Sequence, residues 1–140
     1  MTTSNTLAYN EVAVGDKLPI ENIEITAGLI AGGAIASRDF TPVHHNKAAA
    51  QEQGMQDIFM NILTSNGLIG AYVSRWAGPD STTKAVDVKL GAPNHPGFKM
   101  AMSGEVKSKD DGCVEVEVLG KNHWGMHLQA TVRVALPGEH

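Results

Sequence analysis

The sequence is short of three features that would place it in a specialised class of protein: cysteine, clustered positive charge and long apolar runs. Cys113 is the one cysteine among 140 residues, so no disulfide can form within the chain and a reducing compartment is expected. The net charge is −4 without a basic block, which argues against nucleic acid as the main partner. The longest nearly apolar run, residues 27–36, is about half of a membrane span. With no basic start followed by an apolar run, we expect a soluble protein of the cytoplasm.

The bulk composition is that of an ordinary globular domain. Apolar residues make up 42% of the chain and charged residues 19%, as in typical soluble proteins. A length of 140 residues is sufficient for one domain with a hydrophobic core. Because no internal repeat, low-complexity segment or linker interrupts the chain, we expect a single domain over residues 1–140.

Three stretches carry helix signals. Thr26 suits the N-cap of a short helix over residues 27–37, and Asn46 suits that of another over residues 47–53. The longest candidate covers residues 61–75, where apolar side chains occupy much of the circumference. That pattern is typical of a central, buried helix.

Strand signals occupy the start and the second half of the chain. Residues 21–26 alternate between apolar and polar side chains, as a half-buried strand does. After Lys84 alternating stretches are separated by turns, and residues 109–112 form a strong hairpin signal. The order predicts an α+β domain in which an antiparallel meander of about four strands wraps around the long central helix.

An acid and a histidine stand five residues apart in one segment, Arg38-Asp39-Phe40-Thr41-Pro42-Val43-His44-His45-Asn46. Pro42 fixes its own φ and moves Thr41 out of the helical region, so the chain turns there. Such a turn can aim Asp39 and His44 at one water molecule, as a general acid–base pair requires. The structural alternative is a capping aspartate and a hydrogen-bonded core histidine.

The same segment resembles a motif of the MaoC-like hydratase family, Gly-Asp-x-Asn-Pro-(Leu/Ile/Val)-His-x-Asp. Asp39, Pro42 and His44 match the motif in type and spacing, whereas Arg38 and Thr41 stand where the family has Gly and Asn. The resemblance covers nearly the whole chain and implies the hotdog fold, an α+β fold whose antiparallel sheet wraps around a long central helix. Several segments resemble the dyad-bearing small subunits of heteromeric steroid enoyl-CoA hydratases: Arg38-Asp39-Phe40, Val43-His44-His45, Asp57-Ile58-Phe59, Asn61-Ile62-Leu63-Thr64 and Trp76-Ala77-Gly78-Pro79.

The resemblance implies a hydro-lyase that adds water to a trans-2-enoyl-CoA, here a steroid CoA ester with a sterol or bile-acid side chain. It implies an acid–base dyad, in which we assign His44 as base and orienting partner and Asp39 as the group that exchanges the proton that reaches C2; the sequence leaves this division open, because a coupled pair titrates as a unit. It also implies that a backbone N–H of Asn61 or Ile62 binds the thioester oxygen, since Asn61 stands where the family has the Gly of a His-Gly pair. No metal or redox cofactor is expected, and CoA is part of the substrate.

A second MaoC-like subunit is also implied, with a dimer of heterodimers as the expected assembly and a homodimer as the alternative. Two other functions stay open at this point: a hotdog acyl-CoA thioesterase, and a non-catalytic subunit that completes a partner's tunnel. Thioesterases generally lack the Asp-x-x-Pro-x-His turn, and the joint presence of Asp39 and His44 argues against a non-catalytic subunit.

The other polar residues of these elements are interpreted as structural. Thr64, Ser65 and Asn66 are expected to pack or to cap the central helix. His123 and His127 are four residues apart but flank a turn, so a metal-binding pair is disfavoured.

Overall fold

The described residues form a five-stranded antiparallel sheet and three α-helices. The computed structural model describes residues 5–138, so residues 1–4 and 139–140 of the predicted domain lie outside the described residues. In chain order the elements are β1 (Lys17–Glu24), α1 (Ala27–Ala36), α2 (Lys47–Glu52), α3 (Ile62–Ala77), β2 (Thr82–Leu90), β3 (Lys99–Asp110), β4 (Cys113–Asn122) and β5 (Gly125–Ala135). The predicted α+β class is confirmed.

The strands follow the order β1-β3-β4-β5-β2 across the sheet. Consecutive hairpins join β3, β4 and β5, so the meander has three strands rather than the four expected. β2 does not pair with β3, which follows it along the chain; it pairs with β5, with Val86 opposite Val132. The connection from β2 to β3 therefore crosses from one edge of the sheet towards the other. Sequence alternation identifies strands but carries no information about such non-local pairing.

The first strand begins earlier than its alternating pattern suggested. Residues 21–26 were predicted, whereas β1 starts at Lys17 and ends at Glu24. The pairing with β3 shifts between Leu18 and Glu21, and Pro19 lies inside that irregular stretch. Proline is tolerated there because β1 is an edge strand with one unpaired side.

The central helix α3 fills the space over the sheet. Ile69, Tyr72 and Val73 of α3 are buried, and the Tyr72 hydroxyl donates to the carbonyl oxygen of Pro19 over 2.6 Å. This bond ties the helix to β1 while its apolar face packs on the buried side chains of the sheet, among them Met100, Met102, Val106, Val114, Val116, Val118, Leu128, Val132 and Val134. Burial of this kind supplies about 25 cal/mol per Å² of apolar surface and is the main source of stability. Within the described residues, no helix has the length and apolar character needed to cross a membrane.

Helix α1 approaches the start of α3 closely at one glycine. Thr26 caps α1 as predicted, since its hydroxyl oxygen accepts from the N–H of Leu29 over 3.0 Å. A Cβ at Gly33 would collide with the Thr64 side chain, whereas a Cβ at Gly32 would meet nothing within 4 Å. Gly33 is therefore needed for the approach of the two helices, and Gly32 is not.

Two adjacent alanine substitutions should have opposite effects on the free energy of unfolding. Gly32→Ala adds an exposed methyl to a helix interior and should stabilise the protein by about 0.5–1 kcal/mol. Gly33→Ala forces a methyl against Thr64 and should destabilise it by about 1–2 kcal/mol, since overpacking outweighs the gain in helix propensity. Urea unfolding of the two variants measures both values. Stabilisation by both substitutions would contradict the close approach of α1 and α3.

Candidate active site

The backbone at the end of α1 fixes the position of Asp39. The N–H of Arg38 donates to the carbonyl oxygen of Ile35 over 3.0 Å, and the N–H of Asp39 donates to that of Ala34 over 2.8 Å. This double closure is the Schellman motif, which requires a left-handed residue after the helix. Arg38 adopts that conformation, with φ of 58°, where glycine would do so without steric cost. Asp39 is consequently held against the helix end.

Three donors and the His44 ring surround the carboxylate of Asp39. Its Oδ1 accepts from the hydroxyl of Thr41 at 2.6 Å and from the Thr41 N–H at 3.2 Å. Its Oδ2 accepts from Nδ2 of Asn61 at 3.0 Å and lies 3.2 Å from Nε2 of His44. The Thr41 hydroxyl, followed by the Asn61 amide, the Thr41 N–H and the His44 ring, lowers the pKa of Asp39 to about 2. The group is therefore a carboxylate at neutral pH.

His44 ends a 3₁₀ turn, Pro42–His44, and its ring is buried. Nδ1 lies 2.7 Å from the carbonyl oxygen of Phe59. Because a carbonyl oxygen only accepts, we assign the proton of the neutral ring to Nδ1. Nε2 then presents a lone pair beside Asp39 Oδ2, so the two predicted residues converge on one point as their spacing suggested.

The dyad opens into a cavity of about 320 Å³ beside the N-terminus of α3. Apolar side chains dominate its walls, and its lining consists of Asp39, His44, Met55, Phe59, Met60, Asn61, Ile62, Leu90, Gly91, Pro93 and His127. Among the described residues, no protein group accepts a hydrogen bond from the backbone N–H of Asn61 or of Ile62. Such free donors are expected at the first turn of a helix. Both predicted oxyanion donors thus lie at the cavity that contains the dyad.

Asn61 does more than the sequence suggested. Its Oδ1 caps α3 by accepting from the N–H of Thr64 at 2.9 Å and from the Thr64 hydroxyl at 2.6 Å. Its Nδ2 donates to Asp39 and, over 3.1 Å, to the hydroxyl oxygen of Ser37. One buried amide therefore joins the end of α1, the dyad and the start of α3.

Sequence reasoning missed His127 as part of the cavity. Its ring is buried, with Nδ1 2.7 Å from the carbonyl oxygen of Ala92 and Nε2 2.8 Å from the hydroxyl of Ser65. Its backbone carbonyl also accepts from the N–H of Gly91 at 2.7 Å. His127 thereby links α3 to the cavity wall that follows β2. Ser65 and His127 are 62 positions apart in the sequence, so no local pattern indicates this pair.

The remaining candidates have structural contacts. Asn46 caps α2 as predicted, through the N–H of Ala49 at 3.2 Å, and Asn66 donates to the carbonyl oxygen of Ile62 at 3.3 Å. His123 packs against Phe98 with ring centroids 4.4 Å apart, away from His127. In the part of the chain that the structure describes, no group of three or more His, Cys, Asp or Glu side chains is arranged to hold a metal.

Known proteins resemble this chain in sequence and in fold, although no family model matches it. The 3-oxo-4,17-pregnadiene-20-carboxyl-CoA hydratase beta subunit of Mycobacterium tuberculosis is 41% identical over 123 residues, which are 88% of this chain and 95% of that protein. The crystal structure of the ChsH1–ChsH2 complex from the same organism contains a chain that matches with a TM-score of 0.88 and 40% identity. That match covers 89% of this chain and 98% of the other.

A MaoC-like dehydratase of known structure matches 96% of this chain and 43% of its own length, with a TM-score of 0.86 and 25% identity. The chain belongs to the MaoC-like hydratase family. The R-hydratase PhaJ1 from Pseudomonas aeruginosa, at 22% identity, has a TM-score of 0.86 over 96% of this chain and 88% of that chain. The hotdog fold predicted for this MaoC-like chain, with its sheet around a central helix, is confirmed.

Titration of His127 should appear in the pH dependence of stability. Burial holds the pKa of the His127 ring below its ordinary range, so the folded protein keeps the ring neutral while the unfolded chain binds a proton below about pH 6.5. The contribution of this ring to stability is then complete above pH 6.5 and declines as the pH falls. Urea unfolding of the wild type and His127→Gln between pH 8 and pH 5 should therefore give a difference that shrinks towards pH 5. A constant difference across that range would contradict the assignment.

Proposed function

We propose that this chain is the catalytic subunit of an enoyl-CoA hydratase that adds water to a trans-2-enoyl thioester of a steroid side chain. The observation that carries the proposal is the dyad: Nε2 of His44 and Oδ2 of Asp39 lie 3.2 Å apart at a cavity bordered by the free N–H groups of α3. Family membership supports the hydratase chemistry. The name of the beta subunit from Mycobacterium tuberculosis supports a steroid carboxyl-CoA as the substrate class.

The dyad holds the reacting water by both of its hydrogens. The neutral His44 ring offers a lone pair at Nε2, because its Nδ1–H is directed at the Phe59 carbonyl oxygen, and Asp39 offers a carboxylate oxygen. A water that donates to both acceptors keeps its own lone pair free for C3 of the enoyl group. Orientation of this kind converts a poor nucleophile into a positioned one.

His44 then carries the proton between the addition of water at C3 and the protonation of C2. As the water oxygen bonds to C3, Nε2 accepts a water proton and the C2–C3 π electrons move towards the thioester oxygen. Protonation of C2 from the dyad completes the addition, so that C3 gains hydroxyl and C2 gains hydrogen. This proposal departs from the assignment made from the sequence, in which Asp39 exchanges the C2 proton, because the donors of Thr41 and Asn61 lower the pKa of Asp39 and favour its carboxylate form. The pair titrates as a unit.

The first turn of α3 supports the negative charge that develops on the thioester oxygen. In this proposal, the N–H groups of Asn61 and Ile62 and the positive end of the helix dipole bind that oxygen. Removal of one such donor typically raises the barrier by roughly 3–4 kcal/mol. Proton transfer and electrostatic stabilisation account for the whole addition, so the proposal includes neither a metal nor a redox cofactor.

A second MaoC-like subunit completes the site in this proposal. β2 is an edge strand with one unpaired side, which is a template for pairing with another chain. Leu90 at the end of β2 is 42% exposed and Ile62 at the start of α3 is 47% exposed, although both line the cavity. The ChsH1–ChsH2 complex supports a partner of a different sequence. We therefore propose a dimer of heterodimers in the cytoplasm, with a homodimer as the alternative.

Loss of either dyad residue should abolish most of the activity. Asp39→Asn and His44→Ala should each lower turnover by about 10²–10⁴-fold in the complex with the partner subunit, because the first removes an acceptor that orients the water and the second removes the proton-transfer group. The rate is followed as the loss of enoyl absorbance of a steroid-side-chain trans-2-enoyl-CoA. His45→Ala, which changes the exposed neighbouring histidine, is the matched control and should retain wild-type turnover.

Each competing function would give a different result in the same assay. Full activity of the Asp39→Asn complex would show that catalysis resides in the partner and that this chain only completes the tunnel. Release of free CoA thiol from saturated acyl-CoAs, without hydration, would select a thioesterase. Hydration by this chain alone would select a homomeric enzyme.

A further inference from the structure

The Asn61 side chain is the point at which the carboxylate and the central helix are connected. Its relative exposure is 4%, and both of its polar atoms are used. Nδ2 donates to Asp39 Oδ2 at 3.0 Å and to Ser37 at 3.1 Å, while Oδ1 accepts twice from Thr64. The donors and acceptors of an amide lie in one plane, so this set fixes the orientation of the group.

The bond from Asn61 to Asp39 acts on the catalytic oxygen itself. Oδ2 is the atom that faces His44, whereas Oδ1 is occupied by Thr41. Without the amide, Oδ2 would keep only the His44 ring as a polar neighbour, and the bonds from Thr41 to Oδ1 would be the remaining restraint on the carboxylate. Hydrogen bonds to a charged group are roughly twice as strong as neutral ones.

The Asn61 side chain also sets the distance between the dyad, which binds water, and the first turn of α3, which binds the thioester oxygen. Its carbonyl oxygen caps the first turn of α3, where the free N–H groups of Asn61 and Ile62 lie, and its amide nitrogen holds the carboxylate. Water is bound by the dyad and the thioester oxygen by the helix, so their separation has to match that of C3 and the thioester oxygen in the substrate. Errors of about 1 Å in such a separation cost on the order of 10²-fold in rate.

We propose that Asn61 is a positioning residue for hydration, whose side-chain amide holds Asp39 Oδ2 towards His44 and in register with the first turn of α3. This inference rests on the proposed function. It adds to the backbone N–H of Asn61 a separate role for the side chain, which acts on the substrate only through Asp39.

The hypothesis that Asn61 only caps the helix leads to a different prediction. Asn46 caps α2 in the same way, by accepting from the N–H of Ala49, but it is exposed and makes no hydrogen bond to Asp39 or His44. If Asn61 were only a cap, equivalent substitutions at the two positions would lower stability alike and leave the chemistry unchanged.

Asn61→Ser separates capping from positioning. Serine caps a helix about as well as asparagine, but it has no amide to reach Asp39. In the complex with the partner subunit, kcat should fall by about 10–100-fold, as expected for the loss of a hydrogen bond to a charged group, while KM changes little. Asn46→Ser is the matched control and should retain wild-type kcat.

Asn61→Asp gives a second and independent readout. The introduced carboxyl keeps the capping oxygen but places an acceptor where Asp39 needs a donor. At neutral pH the two carboxylates repel each other, whereas at lower pH a shared proton restores a donor to Oδ2. The ratio of variant to wild-type kcat should therefore rise as the pH falls from 8 to 5.5.

A ratio that is independent of pH, together with wild-type kcat for Asn61→Ser, would overturn the inference and leave the proposed function intact. Absence of hydration by the wild-type complex would overturn both. Should Asn61→Ser fail to fold, Asn61→Asp decides the question, and ¹³C NMR titration of the Asp39 carboxyl in that variant must show a pKa above the wild-type value.

Discussion

The active site depends on the hydrogen bonding of one carboxylate. Asp39 is only 23% exposed at its side chain, so the water that would normally solvate the charge is largely replaced by protein donors. An ionised carboxyl out of water without such donors would be neutralised by a proton. Thr41 supplies two donors from the turn, Asn61 supplies one from the cap of α3, and His44 stands opposite. The charge therefore requires α1, the 3₁₀ turn and α3 to be fixed relative to one another.

Three buried histidines fix the irregular segments between these elements in a common way. Each ring places Nδ1 within hydrogen-bonding distance of a backbone carbonyl oxygen: His44 at Phe59, His95 at Ile58 and His127 at Ala92. Buried carbonyl groups in segments without regular structure need such partners. The bonds hold the segment before α3 and the segment after β2 in place, and together these two segments form much of the cavity wall. They also determine which nitrogen of His44 is free for chemistry.

Much of this architecture was predictable because it is encoded locally. The caps Thr26 and Asn46 and the long buried helix follow from neighbouring residues, and so does the turn at Pro42 that brings Asp39 to His44. The pairing of β2 with β5 was not predictable, since strands of equal alternation can pair in several orders. The bond between Asn61 and Asp39 spans 22 residues and depends on the helix packing that Gly33 permits, so no spacing rule finds it. Whether Asp39 and His44 transfer protons stays a prediction.

Part of the apolar wall of the cavity is exposed to solvent, and this exposure affects how the site can accept a bulky acyl group. Ile62 and Leu90 border the cavity on α3 and at the end of the edge strand β2. In the proposed assembly, a partner that pairs with β2 and covers these side chains would remove apolar surface from water and close the cavity around the substrate. In the proposed heteromeric enzyme, the groups that bind water and the thioester oxygen come from this chain, and the partner shapes the remaining space. Selectivity for the acyl group can then change through the partner while the spacing of Asp39, His44 and the first turn of α3 stays fixed.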